Sequence, residues 1–131
     1  MERTAVNPVS WSVPMGFNQG ELVKGATRTL YISGQTAMSS EGRPEQEGDL
    51  GSQLALSIDN LESVLREVGM TLANVVRLNV YTTDVDLLFQ HYDVLAARLG
   101  QAQVAPTTTM LGVTRLAIPG QVVELEATAV S

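Results

Sequence analysis

The fold is decided by the C-terminal stretch Ala105–Val130, which has the sequence APTTTMLGVTRLAIPGQVVELEATAV. Residues Thr107–Val113 are mostly β-branched or apolar, a composition that favours a half-buried strand. Pro119 and Gly120 indicate a turn, because neither residue suits the interior of a regular strand. From Val122 onward, successive residues alternate between two faces. The stretch therefore predicts two long antiparallel strands joined by a turn.

The alternation assigns the side chains of these strands to two faces. One face carries Val123, Leu125, Ala127 and Ala129 and should pack on a core. The other carries Val122, Glu124, Glu126, Thr128 and Val130, joined from the preceding strand by Thr108, Met110, Gly112 and Thr114. This second face is half apolar, so we expect another subunit to cover it. The alternative is an ordinary solvated face with scattered apolar residues.

Two amphipathic helices are predicted upstream. The first spans Asp49–Val68, where apolar residues recur at steps of three and four, with Asp49 as N-cap and Gly69 as the stop. The second spans Val85–Leu99 and ends at Gly100. Further strands are predicted at Thr4–Val9, Asn18–Lys24, Thr27–Ser33 and Val75–Thr82. This order predicts a single α+β domain over residues 1–131, with two layers and both helices on one face of a mixed β-sheet.

The composition argues against several classes of protein. A formal net charge of −6 disfavours contacts with nucleic-acid phosphates, which need a basic patch. No apolar run approaches the roughly 20 residues of a membrane span, and Met1–Ala5 lacks the pattern of a secretory signal. The chain has no cysteine and one histidine, which leaves no thiolate site and almost no nitrogen ligands for zinc. We therefore expect a cytoplasmic protein without a metal site.

Glu124 is the strongest candidate for chemistry. It lies on the last predicted strand between a valine and a leucine, where partial desolvation would raise its pKa and make it a usable general base. The alternative is that Glu124 and Glu126 are both ordinary solvated residues. Ser33 and Gly34 end a strand, where a hydroxyl and exposed backbone amides can hold a ligand oxygen, although many strands end in this way.

Five segments, taken in order, resemble the RidA/YjgF superfamily, also called the Rid or endoribonuclease L-PSP family. They are GFNQG (Gly16–Gly20), YISGQ (Tyr31–Gln35), the first helix through Asn60, VVRLNVYTTD (Val75–Asp84), and APTTTMLGVTRL followed by VVELEATAV. The resemblance covers nearly the whole chain. It implies a fold like bacterial chorismate mutase: a homotrimer with sheets inside, helices outside and a ligand cleft at each subunit interface. It also implies hydrolysis of 2-imino and enamine acids to 2-keto acids and ammonia, without a metal or cofactor.

The resemblance assigns site residues by position. Ser33, Gly34 and Glu124 match the family's pattern, and Glu124 would position the attacking water. The family's cleft tyrosine falls on Phe17, so its hydroxyl is missing. The arginine that holds the substrate carboxylate falls on Thr108, which is short and neutral. Losing that charged hydrogen-bond partner costs roughly 1.5–3 kcal/mol, so we expect no standard 2-imino-acid deaminase activity.

Three hypotheses for function follow. The first is an enzyme that hydrolyses an imine or enamine lacking a carboxylate, with Glu124 as the base. The second is a non-catalytic trimer that binds a small metabolite or a partner protein, because Phe17 and Thr108 make the cleft more apolar. Ribonuclease or translation-inhibitor activity is least favoured, because the chain is acidic. Whether Arg77 or Arg115 replaces the missing arginine stays open, although Arg115 should point to the opposite face from Thr108.

Overall fold

A mixed four-stranded sheet and three helices form most of the molecule. The computed structural model describes residues 1–131. In chain order the elements are β1 (Glu2–Val6), β2 (Gly20–Lys24), β3 (Thr29–Gln35), α1 (Leu50–Glu67), β4 (Val75–Thr82), α2 (Val85–Gln90), α3 (Tyr92–Gln101), β5 (Thr107–Gly112) and β6 (Val123–Val130). The main sheet has the order β3-β6-β4-β5, and β1 pairs with β2 in a separate antiparallel sheet. The predicted α+β class with a mixed sheet is confirmed.

The two C-terminal strands run antiparallel to each other, as predicted, but they are not paired as a hairpin. β5 lies parallel to β4, whereas β6 lies antiparallel to β4 and β3, so β4 separates the two strands. The connecting residues 113–122 are bonded to the end of β4 on both sides: Val113 N donates to Thr82 O at 2.8 Å, and Thr83 N donates to Val122 O at 3.2 Å. A connection of this length is long enough to cross β4. A turn signal within it therefore does not predict that β5 and β6 are paired.

Helix α1 matches its prediction closely. Asp49 caps the N-terminus by accepting a hydrogen bond from Ser52 N at 3.1 Å, and Gly69 takes a left-handed φ of 73° beyond the C-terminus. The buried apolar side chains of α1 are Leu50, Leu54, Ile58, Leu61 and Leu65. Val68, the last residue of the predicted helix, lies past the helix end and is exposed. The helix packs on β3 and β6.

The second predicted helix is in fact two helices, α2 and α3, which meet at His91. The backbone of His91 leaves the helical region, with φ −115° and ψ 9°, and its N–H donates to Leu88 O at 3.0 Å in a tightened last turn. Leu88, Leu95 and Leu99 still share one buried face, so the apolar spacing carried no sign of the break. Gly100 lies inside α3 and does not end it.

The two faces of the sheet differ, and one prediction about them is wrong. Val123, Leu125, Ala127 and Ala129 are buried in the core shared with the helices, as predicted. Glu124 and Glu126 lie on the opposite face, hereafter the open face. Thr108, Met110 and Gly112 pair with buried residues of β4, so they lie on the helix side. The faces of β5 could not be predicted by continuing the alternation of β6 backward, because residues 113–122 are not a strand and do not preserve that alternation.

Candidate functional site

Glu124 lies on the open face with its carboxylate against Gly34 of β3. A Cβ atom added to Gly34 would lie 1.9 Å from Glu124 Oε1 and 2.8 Å from Glu124 Cδ. Any side chain at this position would therefore displace the carboxylate. The backbone of Gly34 does not adopt a positive φ, so backbone conformation does not require glycine here. The close approach of the Glu124 carboxylate does.

Ser33 and Gly34 form a β-bulge in β3. The pairing of β3 with β6 shifts by one residue between Ile32 and Gln35, so the two residues stand opposite a single residue of β6. Both residues are exposed. A bulge re-aims side chains and takes backbone groups out of the ladder, which leaves them free to bind a ligand oxygen. Ser33, Gly34 and Glu124 thus form one group, which we call the carboxylate half-site.

The two carboxylates of β6 have opposite electrostatic environments. Glu126 Oε1 accepts hydrogen bonds from Tyr81 Oη at 2.5 Å and from Asn79 Nδ2 at 2.8 Å, and these bonds hold the pKa of Glu126 below its ordinary value. Burial, and then the negative charge of Glu126, raise the pKa of Glu124. Glu126 is therefore a fixed anion, whereas Glu124 is the carboxylate suited to take up and release a proton.

Phe17 and Thr108 lie elsewhere, in the wall of a cavity of about 400 Å³ on the helix side of the sheet. The wall also includes Phe89, Tyr92 and Met110, and none of the residues that line it is charged. The Thr108 hydroxyl donates to a backbone carbonyl at 2.8 Å, so its proton is already engaged. We call this cavity the apolar half-site.

A single chain does not bring the two half-sites together. The carboxylate half-site lies on the open face and the apolar half-site lies on the helix side, so the sheet separates them. Thr108 and Glu124 were predicted to share one face, and that prediction is wrong. Glu124 therefore cannot reach a ligand in the apolar half-site of its own chain.

Neither candidate arginine takes the place left at Thr108. Arg77 lies on the open face, where its Nη2 donates to Thr109 Oγ1 at 2.8 Å. Arg115 is exposed and lines a separate cavity beside Thr83. Within one chain, the apolar half-site contains no arginine.

Three residues that support the two half-sites were not predicted from the sequence: Asn79, Tyr81 and Tyr92. Asn79 and Tyr81 alternate along β4 with buried residues, so the sequence carried the signal for their common face. Only the strand pairing shows that this face is the one that holds Glu126. Tyr92 lies within the second predicted helix, and its place in the cavity wall depends on the position of β5 beside it.

Comparison with known proteins agrees with the resemblance found in the sequence. The family model described as Endoribonuclease L-PSP matches residues 14–131. The crystal structure of YyfB from Yersinia pestis, a Rid-family protein of unknown function, matches with a TM-score of 0.88 at 34% identity and covers 100% of both chains. RutC family protein YjgH of Escherichia coli is 28% identical over 117 residues, covering 89% of this chain and 88% of YjgH. Protein mmf2, mitochondrial, of Schizosaccharomyces pombe is 29% identical over 129 residues, covering 98% of each chain.

The chain therefore belongs to the endoribonuclease L-PSP family, that is, to the RidA/YjgF superfamily. The family prediction is confirmed. One relative is named as mitochondrial, so the cytoplasmic location expected from the sequence stays a prediction. None of the helices combines the length and the apolar character needed to cross a membrane.

Proposed function

We propose that the chain assembles into a homotrimer whose clefts are each built from two copies. The separation of the two half-sites by the sheet carries this proposal, because a cleft that uses both must draw them from different chains. The open face is suited to such a contact, since it exposes large side chains at Tyr31 (80% exposed) and Leu111 (49% exposed). In a cyclic trimer the same two surfaces meet at every interface, which gives one cleft per interface.

In such a cleft, Glu124 acts as the general base for hydrolysis of an imine. It takes a proton from water as the water oxygen bonds to the imine carbon and the C=N π electrons move to nitrogen, which then receives the proton. Glu124 next takes the hydroxyl proton of the carbinolamine and delivers it to nitrogen as the C–N bond breaks. The products are a carbonyl compound and ammonia, and Glu124 ends ionised as it began. A primary enamine enters the same path after tautomerising to the imine, in which carbon gains a proton from water and nitrogen returns one to water.

The apolar half-site favours substrates without a carboxylate. A carboxylate removed from water without a cationic partner is strongly unfavourable, and no lining residue of this cavity is charged. The substrate class is therefore neutral imines and enamines, rather than the 2-imino acids that the family resemblance implies.

The test measures ammonia and carbonyl release from freshly generated imines, one with and one without a carboxylate. Glu124→Gln should lower kcat for the neutral imine by about 100- to 10,000-fold. The exposed Glu67→Gln is the matched control and should keep the parent rate. Thr108→Arg should move activity toward the carboxylate-bearing imine. Unchanged turnover in Glu124→Gln would show that the assigned base is wrong.

The two-chain cleft has a separate test by complementation. Glu124→Gln removes the base and Thr108→Phe fills the cavity, so each variant should be inactive alone. After the two are unfolded together and reassembled in equal amounts, about a quarter of the clefts should combine an intact Glu124 with an intact Thr108. Recovery of activity toward that fraction supports a shared cleft. No recovery in assemblies shown to be mixed would refute it.

A non-catalytic binding trimer is the second candidate. It is favoured by the same cavity, because Phe17 and Thr108 offer no acid, base or charge to a bound molecule. This candidate predicts ligand binding without turnover of any imine, and binding that Glu124→Gln leaves unchanged. Ribonuclease activity, suggested by the family's description, is least favoured because of the net charge of −6.

A further inference from the structure

The apolar half-site offers a ligand mainly aromatic and thioether surface. Phe17, Phe89 and Met110 supply much of its wall. The volume of about 400 Å³ lies within the range of roughly 300–1,000 Å³ that is usual for small-molecule sites. Such a volume accepts a ring of five or six atoms with a short substituent, and the aromatic walls favour stacking or edge contacts with that ring.

Tyr92, which is half-buried, carries one of the two hydroxyl groups among the residues of this wall. Its ring lies beside Phe89, with ring centroids 6.5 Å apart. Burial raises the pKa of Tyr92. The hydroxyl therefore stays protonated and is available as a donor. Thr108, the other hydroxyl in the cavity, already donates to a backbone carbonyl.

We propose that the apolar half-site takes a neutral ligand with an aromatic or alicyclic ring, and that Tyr92 Oη donates a hydrogen bond to an acceptor atom of that ligand. Tyr92 thereby supplies a hydroxyl in the cavity where Phe17 carries none. The inference rests on the proposed function in one respect, since it takes this cavity to be the substrate-binding half of the cleft. It goes further by assigning the ligand a ring, neutrality and one acceptor.

Three probes of similar size separate these properties. Benzamide has a ring and a neutral acceptor, benzoate has the same ring with a carboxylate, and toluene has the ring alone. Titration calorimetry on the native assembly measures binding. Emission from Trp11, the sole tryptophan, reports that the cavity is the site, because the Trp11 and Phe17 rings are in edge contact with centroids 5.8 Å apart. We expect benzamide to bind at least about tenfold more tightly than benzoate.

Two substitutions test the individual contacts. Tyr92→Phe should weaken benzamide about two- to tenfold and leave toluene unchanged, because only benzamide accepts a hydrogen bond. Thr108→Arg should strengthen benzoate about ten- to a hundredfold. Equal losses for benzamide and toluene in Tyr92→Phe would show that Tyr92 acts through packing alone and would overturn the hydrogen bond. Native binding of benzoate as tight as that of benzamide would overturn the neutral ligand class.

Failure of this inference differs from failure of the proposed hydrolase, because none of the probes is an imine. Selective binding of benzamide, together with unchanged imine turnover in Glu124→Gln, would keep the ligand class and reject the base. Imine turnover that depends on Glu124, together with a native preference for benzoate, would keep the base and reject the ligand class.

Discussion

The close approach of Gly34 to Glu124 allows the carboxylate to be displaced without altering it. In Gly34→Ala the new methyl group would lie 1.9 Å from Glu124 Oε1, so the carboxylate must move by about 1.5 Å to reach ordinary van der Waals contact. Moving a catalytic group by about 1 Å costs roughly 100-fold in rate. We therefore expect kcat/KM for a neutral imine to fall about 100-fold, equivalent to about 2.7 kcal/mol of transition-state stabilisation.

Two measurements check this prediction. The first is imine turnover, compared with Gly100→Ala as a matched control, because a Cβ at Gly100 meets no atom within 4 Å. The second is an NMR titration of the carboxyl groups, in which the pKa of Glu124 should return toward its ordinary value as the carboxylate moves into water. A folded Gly34→Ala protein that keeps full kcat/KM would refute the reasoning, because the carboxylate would then be free to act from a displaced position.

Two other predictions concern stability. Gln53→Met should lower the free energy of unfolding by roughly 3 kcal/mol, because the buried Gln53 amide donates to two backbone carbonyls and accepts from Val122 N at 2.7 Å. Urea titration measures this loss, with the exposed Gln101→Met as control. A loss below about 1 kcal/mol would contradict the prediction. Stability should also depend on pH with opposite signs at the two carboxylates of β6. The pKa of Glu126 is lowered in the folded chain, so Glu126→Gln should remove stability at neutral pH, with the difference vanishing as the pH falls through the folded pKa. The pKa of Glu124 is raised, so Glu124→Gln should add stability at neutral pH, and the gain should disappear below the unfolded pKa of about 4.3. Thermal unfolding from acid to neutral pH measures both effects, and effects of the same sign would contradict one of the two predictions.

The sequence predicts best where one element determines its own pattern. Helix α1 has its cap, its stripe and its stop within one continuous segment, so Asp49 and Gly69 could be assigned correctly. The inward face of β6 was also predictable, since strict alternation leaves one choice of apolar face. The same alternation placed Glu124 on the face opposite the core, where the structure has it.

Predictions failed where the answer depends on another element. The face of Thr108 is set by the register of β5 on β4, and the irregular residues 113–122 carry no information about it. The break at His91 leaves the buried leucines in place, so the apolar period continues through it. The bulge at Ser33 and Gly34 adds one residue to a strand without changing its composition, and only the pairing with β6 reveals it.

The division of the site between two faces would allow a chain to keep the glutamate that the family resemblance implies while differing in the residues that contact the substrate. On the open face, Gly34 leaves room for the Glu124 carboxylate, and burial, followed by the charge of Glu126, raises the pKa of Glu124. Phe17 and Thr108 act from the helix side, where they touch none of those groups. Within one chain the sheet lies between these two sets of residues, whereas in the proposed two-chain cleft they face the same ligand. In that cleft, Thr108→Arg places a guanidinium near Glu124 of the neighbouring copy, so it should change substrate preference and also lower the pKa of Glu124 in an NMR titration of the assembled protein.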